Sequence, residues 1–110
     1  MKNFVCLIIF TLSLNIFSQD RLIFDVRTLP EWEQKKLENI QLVEWQNLLS
    51  RLDNMNVLKD HEILLFCRSG NRSGKAKKIL EENGFTNVKN LGSIEMASKF
   101  LNQPIIINNK

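Results

Sequence analysis

The sequence is short of the residues that build cross-linked or metal-rich folds. Its 110 residues include two cysteines, one histidine, two prolines and four glycines. Two cysteines exclude a disulfide-dense scaffold and a zinc site with four cysteine ligands, and no histidine, cysteine or acidic cluster has metal-ligand spacing. The scarcity of proline and glycine, with 25% charged residues, argues against disordered and collagen-like chains. The length allows one ordinary domain, for which we predict no metal and no cofactor.

The charge balance shows no strong excess of either sign. Lysine and arginine number 15 and aspartate and glutamate 12, which gives a formal net charge of +3. An excess of this size does not by itself indicate nucleic-acid binding. We therefore predict no nucleic-acid partner.

The first 18 residues, MKNFVCLIIFTLSLNIFS, have the layout of a secretory signal peptide. Lys2 supplies a positive amino-terminal region, and an apolar run with three polar interruptions extends from Phe4 to Phe17. Ser18 is a small residue of the kind that precedes a cleavage site. The apolar run is shorter than the ~20 residues of a transmembrane helix. We predict a signal peptide over residues 1–18 and a periplasmic or secreted protein.

Cleavage of this signal changes the cysteine count. Cys6 leaves with the signal, so Cys67 becomes the only cysteine of a single domain that spans residues 19–110. One thiol forms no internal disulfide, and in an oxidising compartment it is either buried and inert or exposed for a reason. After cleavage we predict no association with a membrane.

Downstream of the signal, strand-like and helix-like patterns alternate. Short apolar runs predict strands at Leu22–Val26, at Ile63–Phe66 and around Val88. Apolar spacing predicts helices that begin at Pro30 and span Val43–Leu52, Ser73–Asn83 and Ile94–Leu101. This alternation predicts an α/β fold, a parallel sheet flanked by helices on both faces, with a ligand site beyond the carboxyl ends of the strands. Residues 102–110, NQPIIINNK, are too few and too mixed in character for us to predict a helix or a strand there.

The loop between the most apolar strand and the next helix carries the chemistry. Cys67 directly follows the run ILLF, at the mouth of the predicted sheet. Gly70 gives the backbone freedom to turn its amides inward, and Ser73 is a good helix N-cap. Backbone amides, a helix N-terminus and two guanidinium groups favour a thiolate over a thiol, and equally favour a bound oxyanion.

The positive charge is concentrated in the same segment. Residues 67–78 hold no acidic residue and five cations, Arg68, Arg72, Lys75, Lys77 and Lys78. Cations in the first turn of a helix oppose its dipole by about 0.3–1 kcal/mol each, which a bound anion offsets. We assign Arg68 and Arg72 to the anion, and Lys77 and Lys78 to a solvated helix face.

At this point the sequence resembles the rhodanese family, over most of the chain from Leu22 to Leu101. The strongest element is the loop CRSGNRS at residues 67–73. Other similar elements are the Asp-x-Arg at the end of the first strand, an acidic–aromatic pair and a closing segment, here Asp25-Val26-Arg27, Glu31-Trp32, Asn83-Gly84-Phe85 with Val88, and Asn90-Leu91-Gly92. The layout, one exported domain, is similar to the phage-shock-type periplasmic rhodaneses.

Two segments depart from the family pattern. The family's Gly-His-Ile-Pro-Gly-Ala stretch is not recognisable, because residues 36–42 read KLENIQL. Gly92-Ser93 stands where the family has Gly-Gly, and the usual tryptophan after it is absent. Both departures concern the wall opposite the cysteine loop.

The resemblance implies a thiosulfate sulfurtransferase-type enzyme that works by double displacement. The Cys67 thiolate would attack the outer sulfur of a small anionic donor such as thiosulfate, form a persulfide, and pass the sulfur to cyanide or a thiol. The residues that would bind the substrate are Arg68, Ser69, Gly70, Asn71, Arg72 and Ser73. The alternative is a low-turnover persulfide carrier or a protein-binding rhodanese module.

Loop length distinguishes sulfur chemistry from phosphate chemistry on this fold. Phosphatase relatives have five residues between the cysteine and the arginine, which makes a wider cradle. Here four residues separate Cys67 from Arg72. The smaller ring favours a single sulfur atom over phosphate or arsenate.

Conspicuous residues outside the loop have structural interpretations. We predict that Asp25 and Arg27 form an ion pair or cap near the loop, with Glu31 as a further candidate member. We also predict that Trp32 and Trp45 belong to the core. His61 falls in a polar turn and is not expected to act as a catalytic base.

Overall fold

The computed structural model of the protein describes residues 21–108, and the predicted signal peptide lies outside them. The elements in chain order are β1 (Arg21–Asp25), α1 (Leu29–Gln34), β2 (Lys35–Leu37), β3 (Gln41–Leu42), a 3-10 turn (Trp45–Asn47), α2 (Leu48–Asn54), β4 (Glu62–Cys67), α3 (Asn71–Glu82), β5 (Val88–Ser93), α4 (Ile94–Leu101) and β6 (Ile105–Ile107).

Four strands form one parallel sheet in the order β3-β1-β4-β5. The central strand β4 pairs with β1 so that Phe66 lies opposite Asp25, and with β5 so that Cys67 lies opposite Ser93. The carboxyl ends of these three strands therefore meet at one edge of the sheet. The predicted α/β class and parallel sheet are confirmed.

The sheet separates two apolar clusters, as the alternation of side chains along a strand requires. From β4, Ile63, Leu65 and Cys67 face the first cluster, with residues of α2 and α3, whereas Phe66 faces the second, with residues of β2 and α4. All of these β4 side chains are fully buried, and each large one stabilises the fold by about 1.5–3 kcal/mol. The prediction of helices on both faces is confirmed.

The helix predicted over Val43–Leu52 begins later than its apolar spacing suggests. Val43 follows β3, and its backbone N–H donates to the carbonyl of Asp25 at 2.9 Å, which holds it beside β1. The chain then makes the 3-10 turn before the regular helix starts at Leu48. The predicted start was wrong because Val43 is buried by a strand contact and not by a helix face.

The tail and the segment after α1 form a second, two-stranded sheet that the sequence did not predict. β2 pairs antiparallel with β6, with Leu37 opposite Ile105. The helix predicted to begin at Pro30 is short: α1 ends at Gln34, and Leu37 reaches the core from a strand. Each partner strand is only three residues long, so neither carries a recognisable pattern by itself.

Both tryptophans were predicted to belong to the core, but each is only half-buried and lies at its margin. Trp45 is half-buried and packs against the first cluster. Trp32 is also half-buried, and the Lys36 ammonium stands 4.1 Å from the centre of its ring.

Within residues 21–108, no helix has the length and hydropathy needed to cross a membrane.

Candidate active site

Cys67 is the last residue of β4, so it lies at the carboxyl-terminal end of a central strand of the parallel sheet. The residue is fully buried and its thiol is free. Residues 68–70 connect it to α3, whose first turn folds back over the sulfur. His61 precedes the opposite end of the same strand and is therefore remote from the cysteine.

Hydrogen-bond donors surround the sulfur. The backbone N–H of Gly70 lies 2.9 Å from Sγ, the backbone N–H of Ser73 lies 3.5 Å away and the Ser73 hydroxyl 3.4 Å away. Burial raises the pKa of the Cys67 thiol, but hydrogen bonds from Ser73 and from the amides of Ser69 and Gly70 lower this pKa by more. The net pKa is below that of an ordinary cysteine, which favours the thiolate.

The start of α3 differs from the sequence prediction in its capping. The N-cap is Gly70, with a φ of 96°, and no side chain caps the helix. Ser73, predicted as the N-cap, is the third helical residue. The correction has a physical reason: the sulfur of Cys67 accepts the amides that a capping side chain usually satisfies. A thiolate at this position also interacts favourably with the helix dipole.

Gly70 is favoured by its backbone angle and by the close approach of another strand. A Cβ built on Gly70 would stand 3.3 Å from the Cα of Gly92, near the end of β5. Because φ is positive at both residues, side chains are disfavoured there on conformational grounds too. The cysteine loop and the end of β5 therefore pack backbone against backbone.

Asn90 joins these two segments through its side-chain amide. Its Nδ2 donates to the carbonyl of Gly70 at 3.0 Å, and its Oδ1 accepts from the N–H of Gly92 at 2.9 Å and from the Ser73 hydroxyl at 2.7 Å. The first two bonds fix which end of the amide is oxygen. Asn90 was noted in the sequence only within a closing segment, and this bridge was not predicted.

The guanidinium of Arg72 is paired with a carboxylate, so its charge is already compensated within the protein. Its guanidinium forms two hydrogen bonds with Glu31, at 2.7 and 2.9 Å. Glu31 also accepts from the N–H of Thr28 at 3.0 Å, as part of a capping box at the start of α1. The hydrogen bond from Arg72 is the largest cause that lowers the pKa of Glu31 from 4.5 to about 2. This pair fastens α1 to the first turn of α3.

The predicted ion pair of Asp25 and Arg27 is confirmed, but Glu31 pairs with Arg72 and does not take part in it. Arg27 Nη2 lies 2.7 Å from Asp25 Oδ2, and both side chains are almost fully buried. Arg27 Nη2 also donates to the carbonyl of Lys35 at 2.6 Å. Because every charge of this buried pair is met by hydrogen bonds, it fixes the end of β1 against β2.

The remaining loop residues are at the surface. Arg68, Ser69 and Asn71 are exposed, and Asn71 is the first residue of α3. Arg68 takes part in none of the ion pairs found within residues 21–108. Of the two arginines assigned to an anion, Arg72 therefore has its charge compensated and Arg68 does not.

The arrangement as a whole can hold a sulfur nucleophile and an incoming anion. The amides of Ser69, Gly70 and Ser73 stabilise negative charge on the sulfur of Cys67. The exposed guanidinium of Arg68 directly follows it in the chain. No group of histidine, cysteine, aspartate and glutamate side chains suited to a metal ion occurs in the part of the chain that the structure describes.

These features define a class of α/β proteins that present a reactive cysteine in the loop between a central parallel strand and a helix. The chain belongs to the rhodanese family, since residues 11–96 match the family model of the rhodanese-like domain. The resemblance seen in the sequence is thereby confirmed.

Individual relatives agree with this assignment. The chain is 29% identical to the thiosulfate sulfurtransferase PspE of Escherichia coli (strain K12) over 83 residues, which cover 76% of this chain and 79% of that protein. It is 32% identical over 95 residues to the adenylyltransferase and sulfurtransferase UBA4 of Debaryomyces hansenii, of which the match covers 21%. A solved structure of a rhodanese with anions from E. coli superposes with a TM-score of 0.68 at 24% identity, over 80% of this chain and 99% of that one, which shows the shared fold.

Proposed function

We propose that the protein is an exported sulfurtransferase that moves a sulfane sulfur from thiosulfate to a thiol or cyanide through a persulfide on Cys67. The observation that carries the proposal is the set of donors around the Cys67 sulfur, at 2.9 to 3.5 Å from Gly70 and Ser73. Such donors stabilise an anionic sulfur both before and after the transfer. The sulfurtransferase names of two relatives support the same chemistry.

The first half of the reaction loads the cysteine. The Cys67 thiolate attacks the outer sulfur of thiosulfate, a sulfur–sulfur bond forms, and the bond between the outer sulfur and the sulfonate breaks. Sulfite leaves with the electron pair of that bond, and the total charge is unchanged. The loop amides hold the persulfide anion, and Arg68 offers the uncompensated positive charge for the oxyanion.

The second half regenerates the thiolate. A nucleophilic acceptor, cyanide or an organic thiolate, attacks the outer sulfur of the persulfide and leaves with it as thiocyanate or as a new persulfide. No proton has to be removed from Cys67 if the thiol is already ionised, so this mechanism needs no general base. The remote position of His61 is consistent with that requirement.

The test is to replace the nucleophile and follow both halves. Cys67→Ser keeps nearly the same size and can accept the same amides, so we expect the fold to survive while thiocyanate production from thiosulfate and cyanide falls by about 10³-fold or more. Mass spectrometry of wild-type protein treated with thiosulfate should show the added mass of one sulfur atom on Cys67, and the variant should show none. Circular dichroism of both proteins is the control for folding.

The same experiment separates the enzyme from its alternative. Formation of the persulfide without turnover would identify a carrier and overturn the enzyme. Failure of every sulfane donor to load folded wild-type protein would overturn both.

A further inference from the structure

A cleft of about 510 Å³ lies beside the cysteine loop. Its size and its lining residues exceed what the binding of a small inorganic sulfur donor requires. Its lining includes Glu31 and Gln34 of α1, Arg68 of the cysteine loop and Ile107 of β6. The volume is within the range of sites for organic ligands, roughly 300–1,000 Å³, and thiosulfate or cyanide would fill only a small part of it. The cleft borders the cysteine loop through two of its lining residues: Arg68 follows Cys67 in the chain, and Glu31 is hydrogen-bonded to Arg72 at the start of α3.

The charges around the cleft leave one cation uncompensated. The guanidinium of Arg27 is paired with Asp25, and the ammonium of Lys35 lies 2.8 Å from Glu95. Glu31 is paired with Arg72 in the same way. Arg68 joins none of the ion pairs of residues 21–108, so the cleft presents the net charge of a single arginine.

An apolar side chain stands next to this cation. Ile107 lines the cleft and remains 62% exposed, although it belongs to β6 and lies opposite Lys35 in the strand pairing. The end of β6 is held against α1, because the N–H of Asn108 donates to the carbonyl of Gln34 at 2.8 Å. The wall is therefore fixed in place and offers an unpartnered apolar surface.

The apolar surface of Ile107 belongs to the tail of the chain that follows α4. The match to the rhodanese-like domain ends at residue 96, whereas β6 covers Ile105–Ile107. The segment over residues 36–42, in which the family stretch opposite the cysteine loop is not recognisable, includes the end of β2, the strand that pairs with β6. The apolar surface of Ile107 therefore comes from a strand that lies beyond the residues matched by the family model.

We infer that this cleft binds the sulfur acceptor, and that the acceptor is an organic thiol bearing a carboxylate, with Arg68 binding the carboxylate and Ile107 contacting the hydrocarbon part. The inference rests on the proposed function and specifies its second half. Cyanide has no apolar part and makes no use of Ile107. In the transfer, the acceptor thiolate forms a bond to the outer sulfur, and the bond between the two sulfurs of the persulfide breaks to return the Cys67 thiolate.

The test uses protein already loaded with sulfur, so that donor binding does not enter. Persulfidated wild-type protein, freed of donor, is mixed with 3-mercaptopropionate, 2-mercaptoethanol or 2-aminoethanethiol, and loss of the sulfur is followed by mass spectrometry. With rate constants expressed per thiolate, we expect the carboxylate thiol to react about tenfold faster than the neutral thiol, and the cationic thiol to be slowest. The preference should weaken as salt screens the exposed Arg68.

Two neighbouring residues of β6 provide a matched pair of variants. Ile107→Glu places a negative charge in the cleft and should abolish the preference for 3-mercaptopropionate. Ile106→Glu makes the same change in net charge one residue away on the opposite face of the strand, and should keep the preference within about twofold. Thermal unfolding checks both variants, and Arg68→Gln in the same loaded assay gives a second measurement that does not alter β6.

The outcomes separate this inference from the proposed function. Equal rates for the three thiols in wild-type protein, or equal losses in Ile106→Glu and Ile107→Glu, would overturn the acceptor site while leaving sulfur transfer intact. If the protein cannot be loaded at all, the proposed function fails and the acceptor site fails with it.

Discussion

At the scale of single residues, two acceptors compete for the hydroxyl proton of Ser73. The oxygen of Asn90 lies 2.7 Å from the hydroxyl oxygen, and the sulfur of Cys67 lies 3.4 Å from it. Because the amide orientation of Asn90 is fixed, the short contact between two oxygens requires the hydroxyl proton between them. The Ser73 hydroxyl lowers the pKa of Cys67 only when its proton turns to the sulfur, so while it donates to Asn90 the thiolate depends on the backbone amides of the loop.

This competition predicts the ionisation of Cys67 in variants. In the wild type, alkylation should follow a titration midpoint below the ~8.5 of a free thiol, and Ser73→Ala should leave that midpoint nearly unchanged. In Asn90→Ala the freed hydroxyl turns to the sulfur, so adding Ser73→Ala to this background should raise the midpoint by about one pH unit. The midpoint is measured from the rate of iodoacetamide alkylation as a function of pH in four proteins: the wild type, Ser73→Ala, Asn90→Ala and the double variant.

The double-mutant cycle removes the effect that Asn90→Ala has on the loop itself. A large rise of the midpoint in Ser73→Ala alone would show that the hydroxyl donates to the sulfur in the wild type. A wild-type midpoint equal to that of a free thiol would refute the electrostatic account of the loop.

At the scale of elements, one ion pair fastens α1 to α3. Glu31 and Arg72 have about a quarter of their side-chain surface exposed, so the pair is worth about 1 kcal/mol and not the value of a buried bridge. The pKa of Glu31 is lowered from 4.5 to about 2 in the folded protein. Its contribution to stability is therefore fully present above pH 4.5 and is lost as the pH falls through about 2.

Glu31→Gln tests this link because glutamine retains an oxygen for the capping box but no charge. We expect the free energy of unfolding in urea to fall by about 1 kcal/mol near neutral pH, and the difference from wild type to vanish toward about pH 2. Glu33→Gln, an exposed position on the same helix, is the control and should change little. A difference that persisted unchanged in acid would assign the loss to packing and not to charge.

The sequence predicted those elements whose signals are local. The strand predicted at Ile63–Phe66 and the need for backbone freedom at Gly70 are confirmed because each depends on a few neighbouring residues, although Cys67, predicted just after the strand, is its last residue. The partner of Arg72 is 41 residues away and that of Ser73 is 17 away, so both pairings had to be read from the structure. The strand β6 was missed for the same reason, since its partner β2 is equally short and far along the chain.

At the scale of the whole molecule, the signal predicted over residues 1–18 lies outside the residues that the structure describes and calls for a test of its own. Expressed from its own first residue in a bacterial host, the protein should be recovered outside the cytoplasm with a mass that begins at Gln19. Ile9→Arg interrupts the apolar run and should retain the full-length chain in the cytoplasm. Recovery of uncleaved wild-type chain would contradict the predicted signal.

The complete burial of Cys67 has a consequence for the predicted export, which would leave Cys67 as the only thiol of the mature protein in an oxidising compartment. A disulfide between two proteins requires their Cβ atoms to approach within about 3.5–4.5 Å. The resting loop and Ser73 cover the sulfur and deny that approach to another polypeptide backbone. We therefore expect the donors that surround Cys67 also to keep it from being trapped as a cross-linked dimer.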